Sequence, residues 1–142
     1  MDVLSDLVVA PAEEAERVAH ASVPSREFGG IDVKGIDTVK FGMLHAMLTG
    51  RTFDDVLPSY DPVAEVSADG PWVFRLPEEL VARLAALSPE ERQAAGVKWA
   101  ATEEFALSGW EEGAVSDGLV EICRLARQAA DSRQALFLWM CL

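Results

Sequence analysis

The sequence predicts an α+β domain, with about five helices packed on a small sheet, and three observations carry that reading. A β-branched apolar run, Leu4–Ala10 (LSDLVVA), stands early in the chain. A continuous apolar run of eight residues, Ala135–Leu142 (ALFLWMCL), stands late in it. Between them lie capped segments with helical apolar spacing, separated by turn signals. One sheet holding both outer strands, covered by the intervening helices, satisfies all three. With 50% hydrophobic residues over 1–142, a single globular domain is expected. At 15.4 kDa it should hide on the order of 15,000 Å² of its unfolded surface.

Leu4–Ala10 reads as a strand ended by Pro11, which has no N–H for a ladder but suits a first helical turn. PAEEAERVAHAS then reads as an amphipathic helix with Glu13, Glu14 and Glu16 near the positive end of its dipole. Ala15, Val18, Ala19 and Ser22 form its inner face, and His20 falls off that face towards solvent. Ser22–Gly35 (SVPSREFGGIDVKG) is a loop punctuated by Pro24, Gly29, Gly30 and Gly35, with Phe28 and Ile31 pinning it to the core. Its glycines are turn chemistry. They lack the GxxxxGK[ST] pattern and the strand–glycine–helix order of a phosphate loop.

Asp37–Gly50 (DTVKFGMLHAMLTG) is a helix with Asp37 as N-cap and Gly50 at C′. Ile36, Val39, Met43, Leu44, Met47 and Leu48 fan over more than half its circumference, which predicts a largely enclosed helix. The narrow opposite stripe carries Thr38, Gly42, His45 and Thr49, and so one of the two histidines. Lys40 sits among apolar positions and must snorkel or find a carboxylate such as Asp37 or one from the acidic segment.

Between Arg51 and Arg75 there is no basic residue, while Asp54, Asp55, Asp61, Glu65 and Asp69 fall there. Prolines 58, 62 and 71 exclude a long helix, and VAEVS and WVFRL flank ADGP as a hairpin. Trp72 and Phe74 alternate with Val73, so one strand face buries two rings. Pro77–Leu87 is a short helix with Leu80, Val81, Leu84 and Leu87 inward. Ser88, Pro89 and Glu91 restart the helix as a capping box, and it runs on through QAAGVKWAATEEFALSG. Gly109 and Gly113 bracket a loop. Ser116 or Asp117 caps the last helix, with Leu119, Ile122, Cys123, Ala126 and Ala130 on one side. Arg124, Arg127 and Arg133 lie towards its negative end. Ala135–Leu142 is then a buried central strand, because both of its faces are apolar.

Leu44–Asp54 (LHAMLTGRTFD) resembles a segment of the YfbM-like family, small uncharacterised bacterial proteins, and the order of elements is similar as well. The resemblance implies a compact bacterial α+β domain. It implies no activity and no functional residue.

Charge narrows the function classes. The 24 acidic against 12 basic residues give a net charge of −12, which repels nucleic acid and anionic lipid and favours a basic partner. No run approaches a membrane span, and the first residues lack the basic flank of a signal peptide, so a cytoplasmic protein is expected. The two cysteines, Cys123 and Cys141, form no CxxC and no Cys/His cluster. Reduced thiols, no metal and no cofactor are therefore expected.

Two constellations remain. From Trp99 to Cys123 there is no basic residue, and Glu103, Glu104, Glu111, Glu112, Asp117 and Glu121 fall there beside Trp99 and Trp110. Aromatic anchors in an acidic surround are the composition of a binding surface for a basic protein, so Trp99, Trp110, Glu111 and Glu112 are binding candidates. Glu103 and Glu104 are catalytic candidates only with outside help, since neighbouring carboxylates on a helix diverge by about 100°. His45 is the third catalytic candidate, with Asp32, Asp37, Asp54 and Asp55 near enough in sequence to orient it. No GxSxG, HExxH or EF-hand pattern accompanies it.

Two functions follow. The first is a non-enzymatic, acidic, cytosolic protein that binds a basic protein or itself; an immunity- or antitoxin-like blocker is one form of it. The second is a small enzyme or ligand binder with a pocket around His45, Asp54, Asp55, Glu103 and Glu104.

Overall fold

The computed structural model describes residues 3–33 and 35–142. Met1 and Asp2, part of the expected leader-free start, and Lys34 of the expected Ser22–Gly35 loop lie outside them. Five strands form one antiparallel sheet: β1 (Leu4–Ala10), β2 (Ile31–Asp32), β3 (Pro62–Glu65), β4 (Trp72–Arg75) and β5 (Ala135–Cys141). Their order is β2-β1-β5-β4-β3, so the late apolar run is the central strand, as its composition demands. β1 and β5 pair along their whole length, from Leu4 opposite Cys141 to Ala10 opposite Ala135.

Both sheet faces are covered. Leu7, Val9, Phe74, Leu136, Leu138 and Met140 meet the main helical layer. That layer contains α3 (Thr38–Thr49), α5 (Glu78–Ala86), α6 (Pro89–Ala100), α7 (Glu103–Ser108) and α8 (Glu112–Ser132). The other face, with Val8, Val73, Phe137 and Trp139, packs on Val18 and Ala19 of α1 (Ala15–Ala19) and on Phe28. The exposed surface is 7388 Å², close to the roughly 7,200 Å² that area scaling gives for one compact body of this mass.

Eight α-helices stand among the described residues, where about five were expected. The difference lies in single turns and one break. Pro24 at a first helical position winds part of the expected loop into α2 (Pro24–Glu27), and Thr52 caps α4 (Phe53–Val56). The long helix begun by the Ser88–Glu91 capping box breaks at Ala101 and Thr102, giving α6 and α7. The last helix starts at Glu112, earlier than Ser116, because Val115 inserts into the core and that packing outweighs the poor helix propensity of Gly113 and Gly118. Gly96 is what lets α6 and α8 approach: a Cβ there would stand 2.8 Å from Ser116 Oγ.

The local signals of α3 hold. Asp37 Oδ1 accepts from the Lys40 N–H at 2.9 Å, and Gly50 ends the helix with φ 70°. Its buried face does not follow the expected arc. Phe41, Leu44 and His45 face the core, whereas Val39 is exposed and Met43 and Met47 are half-buried. Apolar residues all round the helix leave no contrast for periodicity to read, and the polar stripe became part of the inner side.

Candidate functional site

His45 lies one turn after Phe41 on α3, so the two side chains share a face. The imidazole is 2% exposed. A 3-10 turn, Leu57–Ser59, delivers Tyr60 beneath it: the phenol oxygen stands 3.2 Å from His45 Nδ1 and 3.4 Å from the Phe41 carbonyl. On the far side His45 Nε2 is 3.6 Å from Glu79 Oε2, just beyond hydrogen-bond reach, and Arg51 Nε is 3.3 Å from Glu79 Oε1. The phenol has one proton for two acceptors, and the shorter contact takes it. Nδ1 then accepts from Tyr60, and Nε2 carries the imidazole proton towards the Glu79 carboxylate. This assignment follows from the partners.

Burial holds His45 below its ordinary pKa of 6.5; Glu79 opposes that and the Arg51 charge adds to it. Burial also pushes the Tyr60 phenol well above its usual range. Phenol, imidazole and carboxylate thus form a line from the core to the surface. Among the described residues, four surface clefts are found whose linings include neither His45 nor Tyr60. The line fastens α3 to α5 and to the Tyr60 turn.

The other catalytic candidates stand apart from it. Asp54 and Asp55 are exposed on α4, where the Asp55 N–H donates to Thr52 Oγ1. Glu103 is exposed; Glu104 is half-buried, with Oε2 unpartnered among the described residues. No ion pair or hydrogen bond found among the described residues joins any of these four to His45. No group of three or more His, Cys, Asp or Glu side chains placed to hold a metal is found there either. No helix of the described residues is long and apolar enough to cross a membrane.

The acidic segment is built on an aromatic column. Phe41 and Trp99 centroids are 6.0 Å apart, Trp99 and Phe105 4.9 Å at 85°, and Phe105 and Trp110 5.5 Å at 70°. The last two are edge-to-face pairs, which add about 0.5–1.5 kcal/mol each beyond the area they bury, while Phe41 and Trp99 are tilted at 48°. Trp99 is fully enclosed and donates from Nε1 to the Lys40 carbonyl at 2.8 Å. The expected surface role for this ring is therefore corrected: it anchors α6 in the core, because its apolar body and its N–H are both satisfied there. Lys40, also buried, holds its ammonium 5.5 Å from the Phe105 centroid.

Trp110, half-buried, brings the column to the surface beside Gly35. In the same stretch of chain Glu103, Glu111, Glu112, Asp117 and Glu121 are exposed. Among the described residues the ion pair formed in this stretch is that of Glu121 with Arg124, at 2.6 Å. Leu107 on α7 is 82% exposed, the most exposed of the large apolar side chains described. The sequence held a signal for it: with Phe105 inward, a residue two positions on points about 200° away.

No family model, no curated protein and no solved structure matches the chain.

Proposed function

We propose that the protein works by binding a basic partner protein, with α7 and the junction into α8 as its contact surface. Leu107 is the apolar anchor, Trp110 the half-buried ring three residues on, and Glu103, Glu111 and Glu112 the charged rim. The exposure of Leu107 within a stretch devoid of basic residues carries this reading. An apolar side chain left in water gains free energy when covered, and surrounding carboxylates speed encounter with a cationic surface. Self-association is less favoured, since two copies of a face this acidic repel. Blocking a basic enzyme, as immunity proteins and antitoxins do, is one form such binding takes. The bacterial origin implied by the Leu44–Asp54 resemblance accords with that form. A pocket around His45 gains no support from the geometry, because the imidazole is enclosed and its carboxylate partner is Glu79.

The test is capture on immobilised full-length chain from a lysate of the source cells, beside Leu107→Asp and Glu111→Lys/Glu112→Lys variants. One basic protein should be retained near 0.05 M salt and released near about 0.5 M, where screening shortens the reach of charge. Both variants should lose it while keeping the wild-type circular dichroism spectrum. Recovery that is indifferent to salt and to both variants would refute the proposal. A stable dimer of the chain alone in sedimentation would replace the basic partner with a second copy.

A further inference from the structure

A cleft of about 280 Å³ opens between α5, the last turn of α8 and strands β4 and β5. Its interior is apolar, and alanines keep it open: Ala82, Ala129, Ala130 and Ala135 stand where larger side chains would fill the space. Its polar residues are Arg75, Glu78, Arg133 and Gln134.

Arg133 is the informative one. It follows α8 with φ 56° and ψ 41°, and it is the non-glycine residue with positive φ among those described. Glycine is the favoured residue at such a position, because a Cβ crowds the next carbonyl. Keeping an arginine there retains strain, and retained strain concentrates where a side chain is used. The Arg133 and Gln134 N–H groups bond the Ala130 and Ala129 carbonyls at 3.3 and 2.9 Å. The negative end of α8 is thereby partly satisfied before any anion arrives. No ion pair or hydrogen bond of the Arg133 guanidinium is found among the described residues. Arg75 donates to Glu78 at 3.1 Å.

We propose that this cleft binds a small organic monocarboxylate, its apolar body on the alanine floor and its carboxylate between Arg75 and Arg133. Guanidinium forks match a carboxylate in plane and in spacing. Two arginines and one glutamate leave a single positive charge among the cleft's ionised groups, so one negative charge is balanced. A second would meet Glu78 and the net −12 of the chain. The volume lies near the lower end for small-molecule sites, about 300 Å³, and suits a body on the order of ten non-hydrogen atoms. The site is distinct from the acidic contact surface, since the 21 residues of α8 separate the two by about 30 Å.

The test is a titration of the isotope-labelled full chain followed by two-dimensional NMR. Hexanoate and benzoate are the probes, hexanamide and benzamide their neutral counterparts, and adipate the dianion. Hexanoate or benzoate should shift the backbone amides of Ala82, Arg133, Gln134 and Leu136 with a Kd of about 1 mM or tighter. Arg133→Gly, which suits the positive φ and should melt no lower than wild type, should weaken binding about tenfold or more. Ala130→Leu should block the cleft and abolish the shifts. No shifts at these amides with either acid would overturn the proposal. So would equal binding of the neutral amides, equal binding of adipate, or unchanged binding in Arg133→Gly.

Discussion

Removing the Tyr60 hydroxyl should unlock α3 from its neighbours without opening a cavity. Tyr60→Phe keeps the ring in place and deletes the one group bonded to His45 Nδ1 at 3.2 Å. The imidazole stays enclosed near the Glu79 carboxylate, its Nε2 without a hydrogen bond among the described residues, and now loses the hydrogen bond at Nδ1. Leaving a buried acceptor unpaired costs about 1–3 kcal/mol. At roughly 2.1 cal/mol/K of unfolding entropy per residue, 142 residues give about 0.3 kcal/mol/K, so a 2 kcal/mol loss lowers Tm by about 7 °C. His45→Leu should cost about 1–2 kcal/mol, since it leaves the phenol only the 3.4 Å contact with the Phe41 carbonyl. The double variant His45→Leu/Tyr60→Phe replaces both polar partners with apolar groups. It should be no less stable than the worse single variant, a coupling of about 1–2 kcal/mol. Denaturant titrations at pH 7.5, followed by tryptophan fluorescence, supply the four free energies. Losses that add within about 0.5 kcal/mol, or a Tyr60→Phe variant as stable as wild type, would refute the bonded pair.

The same imidazole sets a pH dependence. With the folded pKa of His45 held below 6.5 by burial, both states are neutral above that pH and the stability is complete there. As the pH falls below 6.5 the unfolded chain binds the proton first. Stability should then drop by at most about 1.4 kcal/mol per pH unit until the folded pKa is passed. The difference between wild type and His45→Leu isolates this slope; identical profiles would contradict it. Gly30→Ala should unfold the protein or cost it about 3 kcal/mol or more, because a Cβ at that position would lie 2.0 Å from the Leu7 carbonyl oxygen. A melting curve within 2 °C or so of wild type would show that β1 can shift to make room. Burial pushes the Cys123 thiol up to about 11, only partly offset by the Arg127 and Arg92 charges. At pH 8 a thiolate-directed alkylator should therefore label Cys141 in the folded chain and both cysteines in denaturant, as mass spectrometry would read. Rapid native labelling of Cys123 would contradict its enclosure.

What could be read in the sequence was local or strongly one-sided. Asp37, Ser88, Glu91 and Gly50 announce helix ends through bonds made within a few residues, and they do so in the structure. Backbone and side-chain bonds to Ser88 also hold the Glu91 carboxyl below its usual range. Ala135–Leu142 announced a central strand because a run with no polar side needs cover on both faces; the strand ends at Cys141, and Leu142 is exposed. The arrangement around His45 depends instead on distance along the chain. Arg51 directly follows α3, but Tyr60 comes after a separate turn and Glu79 from α5, and no spacing rule links those two to His45. The inner face of α3 was hidden for a different reason, since apolar side chains surround it and only the neighbouring elements choose among them. Trp99 and Trp110 looked equivalent as aromatic residues in an acidic stretch. The break at Ala101 and Thr102 separates them, sending one into the core and the other to its edge.

The position of β5 has a consequence for how the chain is made. The strand that joins β1 to β4 at the middle of the sheet is synthesised after both of them and after all eight described helices. Until Ala135–Cys141 emerges, β1 and the β3–β4 hairpin have no shared neighbour, and the apolar faces of α3, α5 and α8 have no finished sheet to cover. Vectorial synthesis therefore cannot settle this domain piece by piece from its start. The nascent chain must carry an unfinished, acidic helical assembly until β5 has been made. The net charge of −12 keeps such intermediates apart from one another.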